Sequence, residues 1–295
     1  MADKEFYNFL GDEEELKWFF DHCVFEPKSN EVFCFALAAR NKKLSEDERK
    51  EYGLGRAEML NTNIVSMRDH EAFNFNKWER GVLKFEVNKK AMLTRTGMSY
   101  PEKSTVIYYY IHTSDEMKVL NEGAKYINDM KADLINAAMK GSAEGVQDAV
   151  KKLKSARVNV ERMHARCPGT KKLIDFDMDI DPDYMDRKYD IILEALKKNF
   201  NKTFGKGNYF IVDTSGGFHV LVKKEFLKSD PNKVTVKVCE DVETMIPTVM
   251  KKFNEFGYNK LAIKEFNINK NSLIPLPGTL QYGRLVKIIN KEDFE

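Results

Sequence analysis

Four aspartates recur at every second position in "LIDFDMDIDP": Asp175, Asp177, Asp179 and Asp181, separated by Phe176, Met178 and Ile180. Alternate side chains of a strand share a face, so the carboxylates would line one side while the apolar residues pack on the other. Like charges side by side raise one another's pKa unless something positive compensates. Mg²⁺ or Mn²⁺ does this well, because such cations take carboxylate oxygens and two ions about 4 Å apart can share them. Asp177 and Asp179, inside the strand, are the candidates, with Asp175 and Asp181 as alternatives in register. Asp181 and Asp183 flank Pro182 ahead of a helix, where acids also suit the helix dipole. An exposed edge strand, too, can carry acids on its wet face without any metal.

A second group lies in "DTSGGFHVLV", Asp213 to Val222. Ser215, Gly216 and Gly217 join two apolar runs, and His219 follows at the head of the second. A hydroxyl, exposed amides and an imidazole meeting at one turn suit a phosphate group, although an ordinary hairpin with a half-buried histidine has the same pattern. In the third stretch, "IKEFNINKNSLIPLPGTLQYGRLVKI", Glu265 lies inside an apolar run. A rigid "PLPGT" turn follows it, and then the basic residues Arg284 and Lys287.

The elements that must position these residues are legible to different degrees. "EVFCFALAAR" and "STVIYYYIHT" read as buried strands, and "KLSEDERKEYGLG" as a short helix closed by glycine. Thr113 and Glu116 have capping-box spacing, and Val119, Leu120, Ala124, Ile127, Met130, Leu134 and Ala138 follow at helical steps. Gly141 breaks this helix, and Val146, Val150 and Leu153 begin another, which predicts a helical hairpin between two sheet-forming halves. From Leu173 the order is strand, helix, strand, strand. The alternating "KVTVKVCE" comes next, then a helix over "VETMIPTVMKKFNEFG" entered or bent near Pro247, and the strand "KLAIKEFNI". The pattern is α+β with an antiparallel sheet in the C-terminal half.

Composition narrows the class further. With 295 residues and a formal charge of +2, affinity for a polyanion would need a local basic surface. Cys23, Cys34, Cys167 and Cys239 show no CxxC spacing, which argues against a zinc ribbon or disulfide framework and for free thiols in a reducing cytoplasm. The acidic start lacks the basic and apolar pattern of a secretory leader, and no run of about 18 apolar residues predicts a membrane span.

Taken in order, the three stretches resemble the motifs of the archaeo-eukaryotic primase superfamily, which includes primase catalytic subunits and primase-polymerases. "FDMD" looks like its hydrophobic-Asp-hydrophobic-Asp motif, and "TSGGFHVLV" like its Ser and His hairpin with a shortened spacer. "KEFNIN" is similar to its third, acidic motif, and "LIPLPGTLQ" to the turn that follows. The resemblance covers residues 170 to 290. Glu265 stands where many relatives have Asp, and Pro275 replaces the usual basic residue beside the last turn, leaving Arg284, Lys287 or Lys270 as substitutes. "IDFD" and "MDID" fit the first motif as well as "FDMD" does.

The resemblance implies a primase-like catalytic core with an RRM-like antiparallel sheet over 169–295; the pattern before it reads as an N-terminal α/β module over 1–113 and a helical hairpin insertion over 114–168, which matches no motif of that family. The resemblance also implies a template-dependent nucleotidyltransferase, a DNA primase or primase-polymerase, in which Asp177, Asp179 and Glu265 hold two Mg²⁺ or Mn²⁺ ions. Ser215, Gly216, Gly217 and His219 would bind the incoming nucleoside triphosphate, aided by Arg284 or Lys287. Single-stranded DNA would cross a basic surface for which Lys197, Lys198, Lys202, Lys206, Lys223 and Lys224 are candidates, with Arg40, Arg56 and Arg95 reaching in from the first third. No GxxxxGK[ST] loop occurs, so a replicative helicase would be a separate protein. Two other readings fit the acids: a metal-dependent nuclease, and a non-catalytic replication-initiator or nucleic-acid-binding module.

Overall fold

The structure, a computed structural model, describes residues 9–41, 44–55, 57–66, 73–85, 93–94, 96–154, 156–164, 166–180, 182–227, 231–245, 263–269 and 272–294. Its apolar runs build two antiparallel sheets. "EVFCFALAAR" becomes β1 (Glu31–Arg40), buried along nearly its whole length. It lies between β2 (Ala57–Ser66) and β3 (Thr105–Tyr110), with β4 (Ser114–Asp115) paired to its first residues. The helices α1 (Glu13–Cys23) and α3 (Phe75–Leu83) cover one face, where Leu16, Phe19, Trp78 and Val82 pack on Phe33, Phe35 and Tyr109. The short helix α2 (Glu46–Tyr52) closes on Gly53 at φ 61°, the glycine end its sequence predicts, and starts with a Ser45/Glu48 capping box.

The insertion comprises α4 (Glu116–Met139), α5 (Ala143–Lys154) and α6 (Ala156–Met163), so a third helix joins the expected pair. Val119 and Met130 are buried, whereas Leu120, on the same predicted stripe, is exposed. The cap is also displaced from its predicted position. Asp115, not Thr113, accepts from the Lys118 amide at 3.1 Å. Thr113 is occupied elsewhere: its hydroxyl donates to Glu31 at 2.7 Å, and the Thr170 hydroxyl donates to the other oxygen of Glu31 at 2.8 Å. One buried carboxylate thus ties the chain entering the insertion to the chain leaving it, beside the Ser114–Pro168 bridge.

Burial alone would raise the Glu31 pKa, but the hydrogen bonds from Thr113, Thr170 and the Lys28 amide outweigh it and hold the value down. A depressed folded-state pKa contributes stability that is present above the unfolded-state range and lost as pH falls through the folded value. Glu31→Gln should therefore cost about 1–2 kcal/mol near neutral pH, where the charged acceptor is lost. Denaturation curves should also show a smaller difference between mutant and wild type in acid. An undiminished difference there would deny the carboxylate this role.

The second sheet contains β5 (Leu173–Ile180), β6 (Tyr209–Asp213), β7 (Gly217–Lys223) and β8 (Ile263–Ile268), with β12 (Lys287–Ile288) at the edge beyond β6. The crossovers are α7 (Pro182–Phe204) and α8 (Pro231–Met245). Strand, helix, strand, strand, helix, strand in the spatial order β6-β7-β5-β8 is a split β-α-β arrangement. "KVTVKVCE" belongs to α8 and is not a separate extended element: Val234, Val238 and Val242, four residues apart, are buried in the core that α8 shares with α7. Pro247 and the rest of the helix expected after Met245 lie outside the described residues.

Phe176, Met178 and Ile180 face the core under α7 and α8. The other side of the sheet contributes Leu173, Phe210, Val212 and Leu221 to the core that includes α1 and β1. The C-terminal stretch then crosses over. Strand β9 (Leu273–Pro275) extends the first sheet by pairing with β3, and a small hairpin of β10 (Leu280–Gln281) and β11 (Arg284–Leu285) follows before β12 returns to β6. The fold is α+β with antiparallel sheets, and no described helix is long and apolar enough to cross a membrane.

Candidate active-site cleft

Asp177 and Asp179 open onto a cleft of about 710 Å³ between the two sheets. Asp175, the alternative in the acidic row, has another role. It is buried, accepts from His219 Nδ1 at 3.0 Å and from Asn269 Nδ2 at 2.7 Å, and is fully enclosed by the sheet. Burial opposes charge on His219, but the Asp175 carboxylate overrides it, with Asp177 and Asp179 adding to the pull, and raises the imidazole pKa to about 9. This pull favours the protonated form of His219, whose Nε2 lies 3.6 Å from Asp177 Oδ1. In that form it supplies part of the positive charge that a row of aspartates requires. Asp181, the remaining alternative, lies outside the described residues, as do Arg56, Arg95 and Lys270.

The Ser-Gly-Gly connection forms the wall next to Asp179. Thr214 Oγ1 donates to the Gly217 carbonyl at 3.0 Å, and the Ile180 amide donates to the Gly216 carbonyl at 3.0 Å, which fixes the turn against the end of β5. The Ser215 amide donates to Gln281 Oε1 at 2.8 Å, linking this turn to the β10–β11 hairpin. Ser215 and Gly216 line the cleft, whereas Gly217 pairs with Asp179 and is not among the lining residues.

Glu265 pairs in register with Asp179, and directly paired residues share a face. The next pairing is Ile180 with Ile263, so Lys264 is an extra residue in a β-bulge. The bulge breaks the alternation. Lys264 and Glu265 are both exposed, and Lys264 lines the cleft. The Glu265 carboxylate accepts from Asn267 Nδ2 at 2.6 Å. Among the described residues no three His, Cys, Asp or Glu side chains stand close enough together to hold a metal ion.

The remaining basic candidates separate. Arg284 lines the cleft and is steadied by Asp213 through contacts of 3.0 and 3.1 Å. Arg40 enters from the end of β1 and donates to the Tyr108 hydroxyl at 2.8 Å. Lys287 is exposed opposite Asp213 and is not among the lining residues. Lys197, Lys198 and Lys206 belong to the α7 region, which packs on the apolar side of β5, away from the aspartates, and they pair with Glu292, Asp241 and Asp293. Lys202 shares that helix, Lys223 sits over the Phe210 ring at 5.7 Å, and the Lys224 amide donates to the Lys172 carbonyl.

Sequence reading missed Lys264, Tyr108, Gln281 and Tyr282, all of which line the cleft. A bulge leaves no periodic trace, and Tyr108 reads as one more aromatic of a buried strand. Only Tyr282-Gly283, between two short polar-apolar pieces, carries a turn signal. Compared with known proteins, the chain matches no family model, no curated protein and no solved structure.

Proposed function

We propose that the chain is a template-dependent nucleotidyltransferase of the primase and primase-polymerase type, joining nucleotides on single-stranded DNA. The observation that carries this reading is the placement of Asp177 and Asp179 on one face of a split β-α-β sheet, between the Ser215–Gly216 turn and the Glu265 strand. The donor set suits Mg²⁺ or Mn²⁺. Mg²⁺ usually takes one or two carboxylates and completes its shell with water and substrate phosphates, so a protein-only triad is not required. Asp177 and Asp179 would hold it, with Glu265 one strand away as the third carboxylate. When bound, such ions supply Lewis-acid charge neutralisation at the reacting phosphate.

The chain's own residues do the positioning. The Ser215–Gly216 turn takes the phosphates, Arg284 and Lys264 bring positive charge to the rim, and the His219 imidazolium fixes the geometry around Asp177. The template is single-stranded DNA, and a helicase would act as a separate protein. Purified protein incubated with primed and unprimed single-stranded DNA, Mg²⁺ or Mn²⁺ and each nucleotide pool should extend or initiate strands. Shortened strands without nucleotide dependence would instead indicate the nuclease reading.

Glu265→Ala should lower incorporation by roughly a hundredfold while leaving template affinity unchanged, since a carboxylate attracts phosphates only through a cation. Glu265→Asp should retain partial activity, better with Mn²⁺. Full activity of the alanine variant with Mg²⁺ would remove Glu265 from the ligand set.

A further inference from the structure

The β10–β11 hairpin contains an unexplained conformation. Tyr282 and Gly283 form its two-residue connection with φ of 56° and 79°, the pattern of a type I′ turn. Asn or Gly suits the first of these positions, and a bulky aromatic there is strained. Strain of this kind at a cleft points towards function when the side chain faces the cleft. Tyr282 does so: it lines the cavity with Tyr108, Arg40 and Pro275. Its hydroxyl is buried near Arg40 and Tyr108 and makes no hydrogen bond among the described residues, so the ring is placed by its packing against the cluster of Val106 and Tyr108. The preceding residue, Gln281, accepts from the Ser215 amide at 2.8 Å, which couples this hairpin to the phosphate-facing turn.

We infer that Tyr282, backed by Arg40 and Tyr108, is a stacking platform for the nucleobase of the nucleoside triphosphate held at the Ser215–Gly216 turn. This rests on the nucleotidyltransferase reading above and adds to it a protein surface for the base. A phenol ring lining the cleft offers a π-face to any base, and Arg40 in the same lining adds cation–π attraction. Tyr282 also touches the apolar cluster of Val106 and Tyr108, so a packing role is the competing explanation.

The discriminating variant is Tyr282→Asn. It creates Asn-Gly, the favoured type I′ pair, and removes the ring, so turn stability and base binding move in opposite directions. Wild type, Tyr282→Asn and Tyr282→Phe should be compared by thermal melting, by nucleotide KM in template-directed incorporation, and by inhibition with inorganic tripolyphosphate, which has no base. Tyr282→Asn should melt no lower than wild type and raise nucleotide KM about tenfold, with tripolyphosphate inhibition unchanged. Tyr282→Phe should keep a KM near that of wild type. An unchanged KM in Tyr282→Asn, or parallel losses for nucleotide and tripolyphosphate, overturns the platform while the nucleotidyltransferase reading survives. Absence of any incorporation by wild type overturns both.

Discussion

Asp177→Ala and Asp179→Ala, singly or together, are expected to abolish nucleotide incorporation, by roughly a thousandfold or more, because under the proposed function the cations that steady the reacting phosphates would be held by these carboxylates. The fold should survive. Both side chains open on the cleft, and their removal relieves repulsion among the same-face acids. The buried Asp175–His219 pair at 3.0 Å remains to hold β5 and β7 together. Incorporation assays alongside denaturation curves decide the matter: an active double mutant refutes the proposed function, and an unfolded one refutes the division of labour between Asp175 and its two neighbours.

The second large effect concerns backbone spacing. Gly217 pairs with Asp179 at the start of β7, and a Cβ there would lie 1.8 Å from the Met178 carbonyl oxygen. The clash is with the main chain of an inner strand, so no side-chain rotation relieves it. Gly217→Ala should lose on the order of 3 kcal/mol or more and displace the Ser215–Gly216 turn from Asp179, removing activity even where the protein remains folded. Gly216→Ala is the matched control, because its Cβ would meet Asp179 Oδ1 at 3.6 Å, an ordinary contact. Equal stability of the two variants would contradict this strand spacing.

The lysines of α7 and the turn after it illustrate how tertiary contacts reshape a charge pattern. Lys197, Lys198 and Lys206 read as a basic surface in sequence, yet each has an acidic partner brought from α8 or the C-terminal segment. Lysine density says nothing about which acids fold back to meet it. Arg40 shows the reverse. In sequence it is one arginine at the end of an apolar run, and in the fold it lines the same cleft as Asp177 and Asp179 of β5.

The sequence by itself determined what depends on local repetition. The period-two alternation of "LIDFDMDI" places Asp175, Asp177 and Asp179 on one face, the Ser-Gly-Gly break predicts a turn, and the apolar runs predict α+β. Those features are set by the geometry of neighbouring residues. Only the tertiary structure decided which aspartate is buried, which way the Lys264 bulge turns, and that β9 crosses to the first sheet. Asp175 and Asp177 have the same local environment in sequence. They differ because Asn269 and His219, 94 and 44 residues away, reach Asp175, while Asp177 opens on the cleft. Burial, ion pairing and register between strands are properties of distant segments meeting in space, and no local pattern encodes them.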